Sequence, residues 1–228
     1  MIKNKNILML TTFSFAACVL HAVILQTPLN AYLYSSAFKV IIFILCPILY
    51  FKISKDGSMK ELLSLFLMRD EKNVKLSFAL GVCVFALIVA VFMLVQPFID
   101  RTIVIEALAE NGITYDNVIF AFIYIVLINA ALEQLFFRGF VFMTLYNRAF
   151  KRYAHAYSSV LFSAYHIPII INGVSIGILL LCTIGLVAAG LIFNALAVKC
   201  KSISGSLIVH ISANLALNMM IGTHFVFA

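Results

Sequence analysis

The sequence predicts an all-α integral membrane protein, a polytopic bundle of about seven transmembrane helices. Of its 228 residues, 64% are hydrophobic and 11% charged, with a mean hydropathy of +1.11. Soluble domains sit nearer half apolar and a quarter charged. The apolar residues also come in continuous runs close to the ~20 residues a helix needs to cross hydrocarbon, not in the apolar–polar alternation of barrel strands. The third observation is that the basic residues gather in alternate loops between those runs.

The first run, residues 7–25, follows Lys3 and Lys5. Phe15-Ala16-Ala17-Cys18 resembles a lipoprotein cleavage box, but the run continues past Cys18 for a full span, predicting a retained helix. An uncharged turn at residues 26–30 leads to a second span over 31–50, with Lys39 expected to snorkel to the outer interface. The loop 52–75 carries Lys52, Lys55, Lys60, Arg69, Lys72 and Lys75. Within it Leu62, Leu63, Phe66 and Leu67 share a helical face, predicting a short helix on the cytoplasmic surface.

A third span covers 76–96 and ends at Pro97. The acidic loop 100–117 holds Asp100, Glu106, Glu110 and Asp116, and Ile103, Ala107 and Leu108 predict a second surface helix there. The fourth span starts near Val118, the fifth covers 156–171, and Asn172-Gly173 turns into the sixth at 174–198. The seventh occupies 205–227.

Seven spans with a cytoplasmic N-terminus put fourteen of the sixteen basic residues inside, the set Arg138, Arg148, Lys151 and Arg152 among them. An even number of spans breaks that pattern. The net charge of +7 therefore reports orientation, with the C-terminus outside, and not a nucleic-acid partner. The five cysteines form no CxxC pair and predict no structural disulfide. No repeat or linker divides residues 1–228, which read as one domain.

Charged and amide side chains inside spans are costly and usually face a cavity or a partner. Asn129 and Glu133 share a face of the fourth span, and Gln134 precedes Arg138 by one turn. Phe162 and His166 are similarly spaced on the fifth, and His210, Asn214 and Asn218 form a stripe on the seventh. A helix end marked by Arg138 would explain the first group alone, and a lone intramembrane His is usually a helix–helix hydrogen bonder. Together the residues suffice for hydrolysis: a desolvated Glu takes a proton from water, His moves it to a leaving amine, and Asn holds an oxyanion. Alternatively Glu133, His166 and His210 would ligate a metal such as zinc. A transporter would need polar residues along a whole path, and here they are confined to one cluster.

Glu133-Gln134-x-x-x-Arg138 with Gly139-Phe140, then Phe162-Ser163-Ala164-Tyr165-His166, then His210-Ile211-Ser212-Ala213-Asn214 after Ser204-Gly205-Ser206-Leu207, resemble the three motifs of the CAAX prenyl protease and bacteriocin-processing family, CPBP or Abi. Order and spacing agree over about residues 118–220; the accessory spans of 7–96 match only in being hydrophobic. The resemblance implies an intramembrane endopeptidase acting on a prenylated CAAX-like protein, a bacteriocin or a pheromone precursor at the bacterial plasma membrane. It implies Glu133 as the water-activating base, with His166, His210 and Asn214 completing the site and Gln134, Arg138 and Phe162 supporting it. No cofactor is required by a glutamate mechanism, whereas a metal-dependent one takes zinc.

One departure stands out. The family has a second Glu where this chain has Gln134, so Glu133 with Arg138 sums to zero rather than minus one. That weakens two-carboxylate metal binding and leaves two readings, the glutamate mechanism or a non-catalytic member acting in bacteriocin immunity or regulation. Depth adds a structural requirement. Were the fourth helix to end at Phe137, Glu133 would lie ~6 Å from its end and His166 ~15 Å into the next, and they would miss. They meet if the helix runs on through Gly139 to about Tyr146 with Arg138 inside the protein.

Overall fold

The computed structural model describes residues 2–27, 32–67, 70–110, 112–171 and 174–226. The expected turns at 28–30 and 172–173, and Arg69, lie outside the described residues. Helix α1 spans Ile2–Leu25, α2 Tyr32–Ser54, the short α3 Met59–Ser64, α4 Glu71–Val95 and α5 Arg101–Glu110. The long helix α6 covers Val118–Arg148. Then follow α7 Lys151–Ile170, α8 Ile176–Cys200 and α9 Ser204–Val226. No strand occurs among the described residues.

Local chemistry explains where several elements begin and end. Asp70 caps α4 by accepting the Lys72 backbone N–H at 3.0 Å, so α4 starts before the expected span. Pro97 shapes the single 3-10 turn Gln96–Phe98 that closes it. Lys201, at φ 48°, closes α8 in the left-handed conformation of a helix C-terminus.

Among the described residues seven helices are long, and six of them are long and apolar enough to cross a membrane. The exception is α7, whose 20 residues match ~30 Å of hydrocarbon but carry polar groups turned into the bundle. Ser158 Oγ donates to the Phe137 carbonyl at 3.1 Å, and Asn194 Nδ2 donates to Ser159 Oγ at 3.1 Å. These serines lower hydropathy where α7 needs small residues for close approach to α8.

The basic loops converge at one end of the bundle. Arg148 Nη2 donates to Asp56 Oδ1 at 2.6 Å, its Nε also bonds that carboxylate, and Asn6 Nδ2 donates to the carboxylate at 3.4 Å. At the same end the Leu65 carbonyl accepts Ser202 Oγ at 2.7 Å and the Ile203 N–H at 2.8 Å. The short helix α3 differs from its expected surface position. Leu62 is buried against Gly139, where an added Cβ would meet its Cδ1 at 2.7 Å, while Leu63 and Leu67 are exposed. The acidic-loop helix α5 forms as expected.

An aromatic core surrounds the centre of α6. Phe43 of α2 stacks on Phe136 at 4.0 Å between ring centroids, and Phe137 and Tyr165 pack against the same ring. Phe43, Phe136, Phe137 and Phe140 are fully buried. Helix α6 does not break at Arg138. It carries two π-helical stretches, Tyr124–Asn129 and Gln134–Met143, flanking Ala130–Glu133. Such widened turns recur at functional sites, and nothing in the residue pattern foretold them.

Candidate active site

Glu133 lies fifteen residues from either end of α6, at the middle of the bundle. Its two carboxylate oxygens have different surroundings. Oε1 accepts from Asn129 Nδ2 at 2.8 Å and Tyr165 Oη at 3.3 Å, with Lys39 Nζ at 3.7 Å. Oε2 is buried with no hydrogen-bond partner among the described residues, and His166 Nε2 and His210 Nε2 each stand 3.7 Å from it. The three candidates from α6, α7 and α9 thus converge on one oxygen atom.

Each imidazole is held from behind. His166 Nδ1 lies 2.7 Å from the Phe162 carbonyl; a carbonyl only accepts, so Nδ1 carries hydrogen and the neutral ring turns its Nε2 lone pair toward Glu133. His210 Nδ1 lies 3.0 Å from Gln134 Nε2, and Ser206 Oγ donates to Gln134 Oε1 at 2.9 Å. Gln134 therefore orients His210, not Glu133. With the amide donating to Nδ1, His210 carries its proton on Nε2, toward Glu133.

Asn214 and Arg138 meet partners that helical spacing did not point to. The Asn214 amide is engaged elsewhere: its Nδ2 donates to the Ile125 carbonyl at 3.0 Å, and Asn218 Nδ2 donates to the Phe122 carbonyl at 3.4 Å. Both amides tie α9 to the first half of α6, Asn214 within the first π-helical stretch and Asn218 just before it. Arg138 does not bond Gln134, and it lies inside the protein, as a long α6 requires. It is fully buried, its three guanidinium nitrogens have no hydrogen-bond partner among the described residues, and the group lies 4.0 Å from the Phe162 ring centroid and 4.9 Å from that of Phe193. Phe162 makes two contacts here, its carbonyl with His166 and its ring with Arg138.

Residue-by-residue reading missed the N-terminal contribution. Lys39 does not snorkel outward. It is 8% exposed and its ammonium donates to Asn129 Oδ1, because α2 packs its buried face on α6. His21 of α1 is also buried, with its ring 5.2 Å from Tyr165. A lysine and a histidine inside apolar runs were the available signals, but only packing tells an inward from an outward face. Tyr165 stood inside the second motif without a reason to single it out. Among the described residues no group of three or more His, Cys, Asp and Glu is arranged to hold a metal ion.

No curated protein matches the chain. A match to a protein family covers residues 115–216, a little under half the chain, and takes in Glu133, His166, His210 and Asn214. That family is described as Rce1-like, type II CAAX prenyl endopeptidase Rce1-like. The region that brings the carboxylate and both imidazoles together is therefore the region that is similar to the Rce1-like type II CAAX prenyl endopeptidases.

Proposed function

We propose that the protein is an intramembrane endopeptidase that hydrolyses a peptide bond with a water activated by Glu133. The observation that carries this reading is the bare Oε2 of Glu133, flanked by two imidazole Nε2 atoms at 3.7 Å. That spacing exceeds a direct hydrogen bond and suits one bridging water. Such a water gives one proton to Glu133 Oε2 and its second hydrogen bond to the His166 lone pair. Its oxygen attacks the substrate carbonyl carbon, forming a tetrahedral oxyanion. His210 Nε2–H is the donor for that oxyanion, a role worth on the order of 10²–10³ in rate for a single donor in other enzymes. The protonated Glu133 then gives its proton to the leaving amine as the C–N bond breaks, and the carboxylate is restored.

The residues at Glu133 do not favour a divalent cation. His210 turns an N–H rather than a lone pair toward Oε2, and two cationic side chains, Lys39 and Arg138, share the buried site. No step above passes through a metal. Asn214 lends its amide to α9–α6 packing, and the oxyanion role passes to His210. A non-catalytic, partner-binding reading draws on Gln134 standing in place of a second glutamate. We favour the enzyme because two oriented histidines converge on one unshared oxygen, an arrangement a scaffold has no need to bury.

The substrate class follows the family description, a prenylated protein or peptide with a CAAX-type end, held at the membrane with the basic end of the bundle cytoplasmic. Purified protein is expected to cleave internally quenched peptides from a panel containing farnesylated and unprenylated CAAX-type sequences, with and without chelator. Cleavage should persist in chelator and fall at least ~10³-fold in Glu133→Gln. A Glu133→Gln protein that cleaves as fast as wild type would sink the mechanism, and chelator-sensitive cleavage restored by zinc would replace it with the metal one.

A further inference from the structure

The N-terminal helices lie outside the family match, yet one of them reaches the reacting carboxylate. We propose that Lys39 is a positioning residue which, through Asn129, anchors Oε1 of Glu133 and leaves Oε2 as the base. The proposal rests on the reading of Glu133 as the water-activating group.

The contacts run in one direction. An ammonium only donates, so Asn129 must turn its carbonyl oxygen to Lys39. Its amide nitrogen is then committed to Glu133 Oε1 at 2.8 Å. Lys39 Nζ itself stands 3.7 Å from that oxygen, and Tyr165 Oη donates to it at 3.3 Å. Among the described residues, the donors that bond the carboxylate engage Oε1 and none engages Oε2. Without the lysine, the Asn129 amide is free to turn over and the carboxylate to rotate.

The placement is costly, which argues that it is selected by function. Lys39 sits seven residues into α2, ~10 Å from the helix start, within reach of snorkelling toward the interface. Instead it is turned inward and 8% exposed. It also changes the charge balance: beside the one carboxylate the buried groups include both the Lys39 ammonium and the Arg138 guanidinium, where Glu133 and Arg138 alone would balance. A positive site suits a reaction whose intermediate carries a new negative charge.

A double-mutant cycle tests the coupling without reference to activity. Thermal unfolding of the purified full-length protein in detergent is measured for wild type, Lys39→Met, Glu133→Gln and the double variant. Lys39→Met should lower the Tm of wild type but leave that of Glu133→Gln unchanged or higher; equal, additive shifts in both backgrounds overturn the proposal. With the quenched peptide that wild type cleaves, Lys39→Met should lower kcat at least tenfold with KM within twofold, and Lys39→Arg should recover most of the loss. An unchanged kcat in Lys39→Met, or a loss that Lys39→Arg does not recover at wild-type Tm, also overturns it. If wild type cleaves no peptide, the reading of Glu133 as base fails separately, and the positioning role falls with it, whatever coupling the cycle measures.

Discussion

Replacing Gly190 by alanine would push α7 and α8 apart and, through them, loosen the proposed catalytic geometry. At Gly190 an added Cβ would meet the Ser159 Cα and Cβ, both at 2.9 Å, and Oγ at 3.0 Å. Ordinary contact begins near 3.4 Å, so the helices must separate by roughly 0.5–1 Å, because a backbone atom cannot rotate away. Overpacking of this kind costs about 1–3 kcal/mol. Alanine's better helix propensity returns roughly 0.5–1 kcal/mol, leaving a net loss of about 0–2.5 kcal/mol. Gly185, on the same helix, has nothing within 4 Å of its Cβ position. Gly185→Ala gains the same propensity with no clash, so the two variants should differ by about 1–3 kcal/mol whatever the propensity scale. Ser159 lies two turns before His166 on α7, so the displacement carries to the imidazole that faces Glu133. A shift approaching 1 Å in such a group costs up to about 10²-fold in rate. Thermal unfolding and peptide cleavage of the two variants are the assays. Equal melting temperatures for Gly190→Ala and Gly185→Ala would refute the close packing, and unaltered cleavage by a destabilised Gly190→Ala would refute its link to His166.

Two further outcomes follow from the charged groups. Asp56 is held below the ordinary carboxylate range by hydrogen bonds from Arg148, against a smaller opposing effect of burial. Its contribution to stability is therefore present above the unfolded-state pKa near 4 and is lost as pH falls through the lower folded value. Because the pair is partly exposed, the contribution is about 1 kcal/mol or less; Arg148→Ala should remove this acid-dependent part of the Tm profile, and a profile unchanged by the substitution would contradict it. Arg138 buries three guanidinium nitrogens without hydrogen-bond partners, which outweighs roughly 0.5–2 kcal/mol of cation–π attraction to Phe162. Arg138→Met is accordingly expected to melt no lower than wild type, and a lower Tm would show that the guanidinium is satisfied within the site.

The two motif histidines and Glu133 were legible in the sequence because ionisable residues in apolar helices stand out against their surroundings. The length of α6 was legible for a similar reason: Glu133 and His166 could share a depth only if the helix continued past Arg138, and it does so to Arg148. Partner choice was less visible. Helical spacing placed Gln134 one turn before Arg138, yet Gln134 turns to His210 and Ser206. Spacing says which side chains can be neighbours on one helix, but not which neighbour on another helix outcompetes them. Asn214 shows the same limit, since the Ile125 carbonyl that takes its amide belongs to a π-helical stretch with no residue signature.

By itself the sequence determined the class of the molecule and the side chains with chemistry to offer. Composition decides that this chain lives in lipid, and apolar run length decides that it does so as helices. Tertiary structure decided which face of each helix turns inward. Lys39 could lie on the outer interface or against Glu133 with the same residues around it in the chain; the packing of α2 on the aromatic centre of α6, Phe43 against Phe136, puts it against Glu133. That choice separates the two oxygens of one carboxylate, because a continuously apolar helix carries no amphipathic stripe to mark its buried side and only its neighbours can supply one.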